Sequence, residues 1–261
     1  MVKIPAKSTP AKSMSKISEL TQRFPLPAVI FYLIATTPLG FAAGMYIGNK
    51  WLLPLISSLL FFPVFVIYLT AKRRRSVFFL SLFWIVMLSL MMILTTLQNP
   101  QQMEELTLGG TAYTERMFSW IKTGEGAEGS PALFLPHHII NLLAFLVATA
   151  LTGGFGGLLL GTILLNYMNF YVGMLALNGD NPALLALIGW PPWAVLRVVG
   201  FLLLAIALAE PFWNLLGRKK QVMNLRRPYL WSGLGLVVLD IVLKWLLAGS
   251  WRDLLLSHFK G

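Results

Sequence analysis

The chain contains no cysteine, and only 12% of its 261 residues are charged. The missing thiols exclude disulfides, thiolate metal sites and cysteine nucleophiles together. A soluble domain carries about 25% charged residues and about 45–50% apolar ones. Here 57% of the residues are hydrophobic and the mean hydropathy is +0.71. That balance excludes an ordinary soluble domain, a disordered chain and a polar nucleic-acid-binding module. Acidic side chains are scarce too, ten against 21 lysines and arginines, which leaves few general acids or bases. The sequence has no Gly-x-Ser-x-Gly elbow, no His-Glu-x-x-His pair and no phosphate-cradling Gly-rich loop ending in Lys-Ser/Thr. Glu104-Glu105 begins like an intramembrane prenyl-protease motif, but Gly109 stands where that motif needs arginine. Alternating ten-residue strands are absent, so an outer-membrane barrel is not supported.

What the chain does have is long apolar runs. About 20 such residues in a helix cross the ~30 Å hydrocarbon layer. Seven segments qualify: Pro25–Gly48, Leu52–Ala71, Val77–Leu97, Leu135–Thr152, Gly156–Leu177, Trp193–Leu215 and Tyr229–Ala248. The fold class expected is all-α, a polytopic transmembrane bundle of about seven spans. Thr152-Gly153-Gly154-Phe155-Gly156-Gly157 reads as a tight turn between spans four and five. Pro38 is expected to kink span one, and Pro54 and Pro63 span two. Residues 1–24 form a basic tail with little apolar content, expected to be disordered. Spans one to three occupy 25–97, an outer loop 98–134, spans four to seven 135–249, and an outer tail 250–261. No cleavable signal peptide is expected, because the first apolar run is long and no small-x-small site closes it.

Charge placement orients the bundle. Lys3, Lys7, Lys12, Lys16 and Arg23 precede span one, Lys72, Arg73, Arg74 and Arg75 follow span two, and Arg218, Lys219, Lys220, Arg226 and Arg227 follow span six. These groups hold 14 of the 21 cations, and seven spans place all three on one side. By the positive-inside rule that side is cytoplasmic, with the carboxy terminus outside. The loop after span three carries Glu104, Glu105, Glu115, Glu125 and Glu128 against Arg116 and Lys122, in keeping with an outer position. Such basic groups can also bind anionic lipid. Trp51, Trp190, Trp193 and Trp251 fall at the outer boundary and Trp213 and Trp231 at the inner one, as in an aromatic belt. Tyr113, Met117 and Trp120 line one side of a short amphipathic helix over Ala112–Lys122, lying on the membrane or capping the bundle. Gly124 to Pro131 reads as a flexible connection.

Two patterns bear on function. Gly40, Gly44 and Gly48, and again Gly153, Gly157 and Gly161, recur at four-residue spacing, which lets another backbone approach closely. They suggest a subunit contact or internal packing. The second pattern is polar residues within spans, which hydrocarbon makes costly. Arg197, Lys244 and Asp240 lie in the outer half of spans six and seven. Asn166 and Asn169 lie near the middle of span five, Asn141 in the outer half of span four, and His137 and His138 at its outer end. Asp240 and Lys244 are four apart on one helical face and can neutralise each other. Alternatively Arg197 competes for Asp240 and Lys244 reaches outward. Asn166, Asn169, Arg197, Asp240 and Lys244 are therefore candidate substrate- or ion-binding residues, with interhelical hydrogen bonding as the structural alternative. His137 and His138 are candidate haem or metal ligands, but neighbours on a helix point about 100° apart and do not readily clamp one ion. No metal or cofactor is indicated. Glu210, near Arg218, suggests an interfacial salt bridge.

From about Pro131 to the end, the glycine-rich hairpin, Asn166 and Asn169 ahead of Gly173, the proline-marked start of span six and Asp240 resemble the stage II sporulation protein M-like family of membrane proteins. The chain departs from that family in lacking its Pro-His-Gly and following Glu around Pro191 and its Asn-Gly pair. The resemblance implies a membrane-assembly or partner-recruiting role. Two functions are expected from the sequence. One is a noncatalytic membrane subunit or scaffold that packs with a membrane-protein partner or a second copy through its glycine faces. The other is a permease or channel component with a polar outward-facing cavity formed by spans four to seven. The location expected is the cytoplasmic membrane of a prokaryote.

Overall fold

The computed structural model describes residues 24–216 and 227–260, so the expected disorder of the amino-terminal tail and the cations at 218–220 and 226 fall outside them. The described residues form an all-α bundle of ten helices: α1 (Leu26–Ile47), α2 (Leu52–Thr70), α3 (Arg74–Gln98), α4 (Pro100–Leu106), α5 (Gly110–Thr123), α6 (Pro131–Leu151), α7 (Phe155–Leu177), α8 (Pro182–Ile188), α9 (Pro192–Leu216) and α10 (Arg227–Leu256). Seven of these, α1, α2, α3, α6, α7, α9 and α10, are long and apolar enough to cross a membrane. The chain is an integral, multi-pass membrane protein.

The helix starts follow proline chemistry. Pro100, Pro131, Pro182 and Pro192 each open a helix, where a missing N–H removes no intrahelical bond. Pro54 lies in the first turn of α2, in the same permissive region, so only Pro63 is interior to that helix. Pro38 is interior to α1.

α7 is the central helix. In its most apolar stretch 61% of the residues are buried, against 22% for α6 and α10, which therefore lie at the lipid-facing margin. α7 packs against α2, α3, α5, α6, α8 and α9. Ser58 of α2 donates to Thr162 of α7 at 3.1 Å, and Gly173 of α7 sits against Thr96 of α3. α9 and α10 form the closest helix pair, meeting where the Gly200 and Gly233 backbones face each other.

The two ends of the bundle differ. At one end Glu210 accepts from Arg74 Nε at 2.6 Å and pairs with Lys72. The expected interfacial salt bridge is thus made with the cations after α2, while Arg218 lies outside the described residues. The Trp213 indole donates to the Gly153 carbonyl at 2.8 Å. Gly153 and Gly154 have φ of +62° and +103°, and a Cβ on Gly154 would sit 2.6 Å from the Phe65 ring. That turn needs glycine for both reasons.

At the other end α5 caps the bundle. Met117, Trp120 and Ile121 are buried, so the amphipathic segment seals α7 and α10 rather than floating on the bilayer. Arg252 donates to the carbonyls of Trp120, Ile121 and Lys122 at 3.0–3.1 Å, satisfying the open end of α5. The carboxy-terminal residues are not a free tail. α10 continues to Leu256, beyond the Ala248 end that hydropathy gave, and Asp180 N and Lys260 N bond His258 O and Asn178 O at 3.0 and 2.9 Å. A fall in hydropathy ends the lipid-compatible stretch, but the backbone ladder needs only the cap to pack on.

Trp51 and Trp231 are exposed, as boundary anchors are. Trp193 is buried instead, edge-on to Trp251 at 6.0 Å, and serves the core of the capped end.

Candidate functional site

α6, α9 and α10 bring three polar side chains together, Arg197 and His138 from the first halves of their helices and Asp240 from the middle of α10. Asp240, fully buried, takes both forks of Arg197, Nε to Oδ2 and Nη2 to Oδ1, each at 2.9 Å. Bidentate pairing of this kind is strong and directional, and it fixes the register of α9 on α10. His138 Nε2 lies 3.4 Å from Asp240 Oδ2, but the angle is not that of a hydrogen bond and the atom has no other partner.

Lys244 does not pair with Asp240 one turn away. Its ammonium lies 2.8 Å from Glu128 Oε2 and 4.2 Å above the Phe134 ring. Glu128 belongs to the segment between α5 and α6, which reads as a flexible connection in the sequence. The ion pair ties that segment to α10 across the mouth of the bundle. The cation over an aromatic face keeps part of its stabilisation without water.

These groups border a cavity of about 290 Å³ enclosed by α3, α5, α6, α7 and α9, at the lower end of ligand-site sizes. Its upper end carries Arg116, Glu128, His137, His138, Arg197 and Lys244, and its lower end is apolar, with Trp84, Phe145, Leu158, Phe201 and Leu202. From Ala194 to Ala205 on α9 the lining extends for about 16 Å at ~1.5 Å rise per residue. Arg116 makes no ion pair among the described residues, and Arg197 leaves its Nη1 unengaged there. Tyr113 of α5 also faces the space. Burial, reinforced by the Glu128 carboxylate, pushes its phenol well above the ordinary range, so it stays a neutral donor at physiological pH.

The sequence candidates separate into two groups. Arg197 pairs with Asp240, while Lys244 pairs with Glu128; Arg197, Lys244, His137, His138 and Asn141 border one cavity, Asn141 and His137 from the exposed side of α6. Asn166 is buried on α7 outside the lining. Asn169 donates to Ser89 Oγ at 3.0 Å and accepts from the Trp190 indole at 3.1 Å. It links α3 to α7 and positions Trp190, which does border the cavity. Among the described residues no group of three His, Asp or Glu side chains is placed to hold a metal.

The glycines also divide. A Cβ on Gly40 or Gly44 would strike Leu60 or the Leu53 backbone of α2, and one on Gly157 would strike Thr149 of α6. These three serve packing within the chain. Gly48 has φ of +71° with nothing within 4 Å and ends α1, while Gly153 belongs to the turn before α7. Neither lies on a helix-packing face, because the four-residue spacing continues past the helix ends. A Cβ on Gly161 would meet only Phe145, at 3.9 Å, because that face opens on the cavity.

Sequence reasoning missed Glu128, Arg116 and Phe134. Arg116 and Glu128 entered only the charge count of the loop, and nothing in their spacing shows that the loop folds back over α10. No family model, curated protein or solved structure matches the chain.

Proposed function

We propose that this membrane protein binds a small solute in the cavity between α6, α7 and α9 and acts as a permease or channel component. The amino terminus is then cytoplasmic and the cavity's charged end outward, in a prokaryotic cytoplasmic membrane. The observation that carries the reading is the convergence of Arg197, Lys244 and His138 from the spans, with Arg116 from the capping helix, on one space. Ionisable groups there are functional hypotheses by default, and a purely structural ion pair needs no room beside it. Lys72 and Arg74 at one end and the acidic capping loop at the other support the orientation. The use of Gly40, Gly44 and Gly157 inside the fold takes away faces on which a scaffold role rested.

The cysteine-free chain makes a direct test possible. Val198→Cys places a thiol in the cavity wall, and Val195→Cys places one on an exposed face of the same helix. A membrane-impermeant maleimide added to intact cells is expected to label Val198→Cys and to leave Val195→Cys unlabelled. Equal labelling of both, or of neither, would contradict a water-filled cavity. Labelling of Val198→Cys only in inverted vesicles would reverse the orientation.

A further inference from the structure

We infer that the ligand of this cavity is an anionic amphiphile, one anionic head group such as a phosphate ester on an apolar chain, entering sideways from the bilayer between α6 and α10. The inference rests on the cavity being a binding site and names what it binds.

Charge selects the head group. Asp240 neutralises Arg197 and Glu128 neutralises Lys244, so the excess positive charge at the cavity's upper end is that of Arg116. Unused donors add to it: Arg197 Nη1 and the Tyr113 hydroxyl have no described partner, and His138, itself buried, has an unpartnered Nε2. A cationic head group would meet this charge unfavourably. An anion with several acceptor oxygens, such as a phosphate ester, satisfies these groups together.

The lower end selects the chain. Phe145, Leu158, Phe201 and Leu202 offer nothing to hydrogen-bond a hydrated ion, and Trp84 supplies at most one indole N–H. Largely apolar cavities of this kind stay dry or hold apolar ligands. A lining about 16 Å long, charged at one end only, is matched by an amphiphile and not by a compact ion.

The wall indicates the route. α6 packs on α7 and α9, and α10 on α9 and α5. Across the gap between α6 and α10 the described ties are side-chain contacts, His138 to Asp240 and Lys244 over Phe134. His137 and Asn141, one turn apart on α6, border the cavity and are also exposed on the helix surface. The cavity therefore reaches the lipid-facing side.

Two variants separate the head group from the chain. Arg116 is exposed, so Arg116→Gln leaves the fold intact. A Cβ at Gly161 meets only Phe145, at 3.9 Å, so the side chain of Gly161→Leu starts into the apolar end of the cavity. Radiolabelled dodecyl phosphate is titrated onto the full chain in lipid nanodiscs, above binding to empty discs, with inorganic phosphate and dodecanol as competitors. Saturable binding is expected, weakened about tenfold by Arg116→Gln and abolished by Gly161→Leu, with neither competitor effective alone. Competition by inorganic phosphate with no effect of Gly161→Leu would overturn the amphiphile and leave the cavity a site for a soluble anion. Competition by dodecanol with no effect of Arg116→Gln would overturn the anionic head group. Absence of saturable binding would overturn the inference outright, while labelling of Val198→Cys decides separately whether the cavity is a water-filled site.

Discussion

Replacing Asp240 by asparagine is expected to destabilise the bundle by about 3 kcal/mol, near the lower limit for breaking a buried ion pair. The lower limit applies because the Arg197 side chain is 29% exposed toward the cavity and keeps some solvation, whereas Asp240 has none. The same asymmetry makes Arg197→Gln the more damaging change. It strands a fully buried carboxylate with only His138 within 4 Å, and His138 is not aligned to hydrogen-bond it. Removing both charges relieves the stranded partner, so the Asp240→Asn, Arg197→Gln double variant should be more stable than Arg197→Gln alone. Thermal unfolding of the three variants in mild detergent reads the cycle. Additive losses would show that the two side chains do not share a buried contact.

Gly157→Leu and Gly161→Leu are expected to have different effects although the sequence places them on one face. At Gly157 the new Cβ would lie 2.0 Å from Thr149 Oγ1 and 3.1 Å from its Cβ, with Phe145 at 3.3 Å. Thr149 is fully buried and cannot swing into open space. Overpacking of this kind costs about 1–3 kcal/mol. At Gly161 the side chain enters the cavity, and loss of a helical glycine contributes about 0.5–1 kcal/mol of stability. Gly157→Leu should therefore unfold at a lower temperature than the parent and Gly161→Leu at an equal or higher one. Equal destabilisation by both would mean that α6 and α7 pack closely along their whole length and leave no cavity between them.

Much of the bundle is legible in the sequence for a physical reason. Hydrocarbon imposes a length and an apolar content on each span, so the seven spans can be read with most ends a few residues off and the end of α10 eight residues short. The candidate site is legible in part for the same reason. Arg197, Asp240 and Lys244 stand out because charge within a span is costly, and Asp240 finds Arg197 as one reading of the spacing allows. What the sequence does not carry is the loop. Glu128 pairs with Lys244 because α5 folds over the end of the bundle and returns the chain past α10, and no periodicity records that path. Asn169 shows the opposite failure. Its depth is right, but its amide is spent on Ser89 and Trp190, and depth alone cannot tell an amide that faces a neighbouring helix from one that faces a cavity. Spacing has the same limit at Gly157 and Gly161, since a repeat every four residues fixes a face without saying what that face meets.

The central claim is that charged residues within the spans border an open space rather than a sealed ion pair. A density map of the purified chain in a lipid nanodisc tests it most directly. The result expected is Arg197 forked onto Asp240, Lys244 on Glu128, and ordered non-protein density between them and Phe145. A map in which α6 lies directly against α10, with that space closed and Lys244 turned away from it, would contradict the claim.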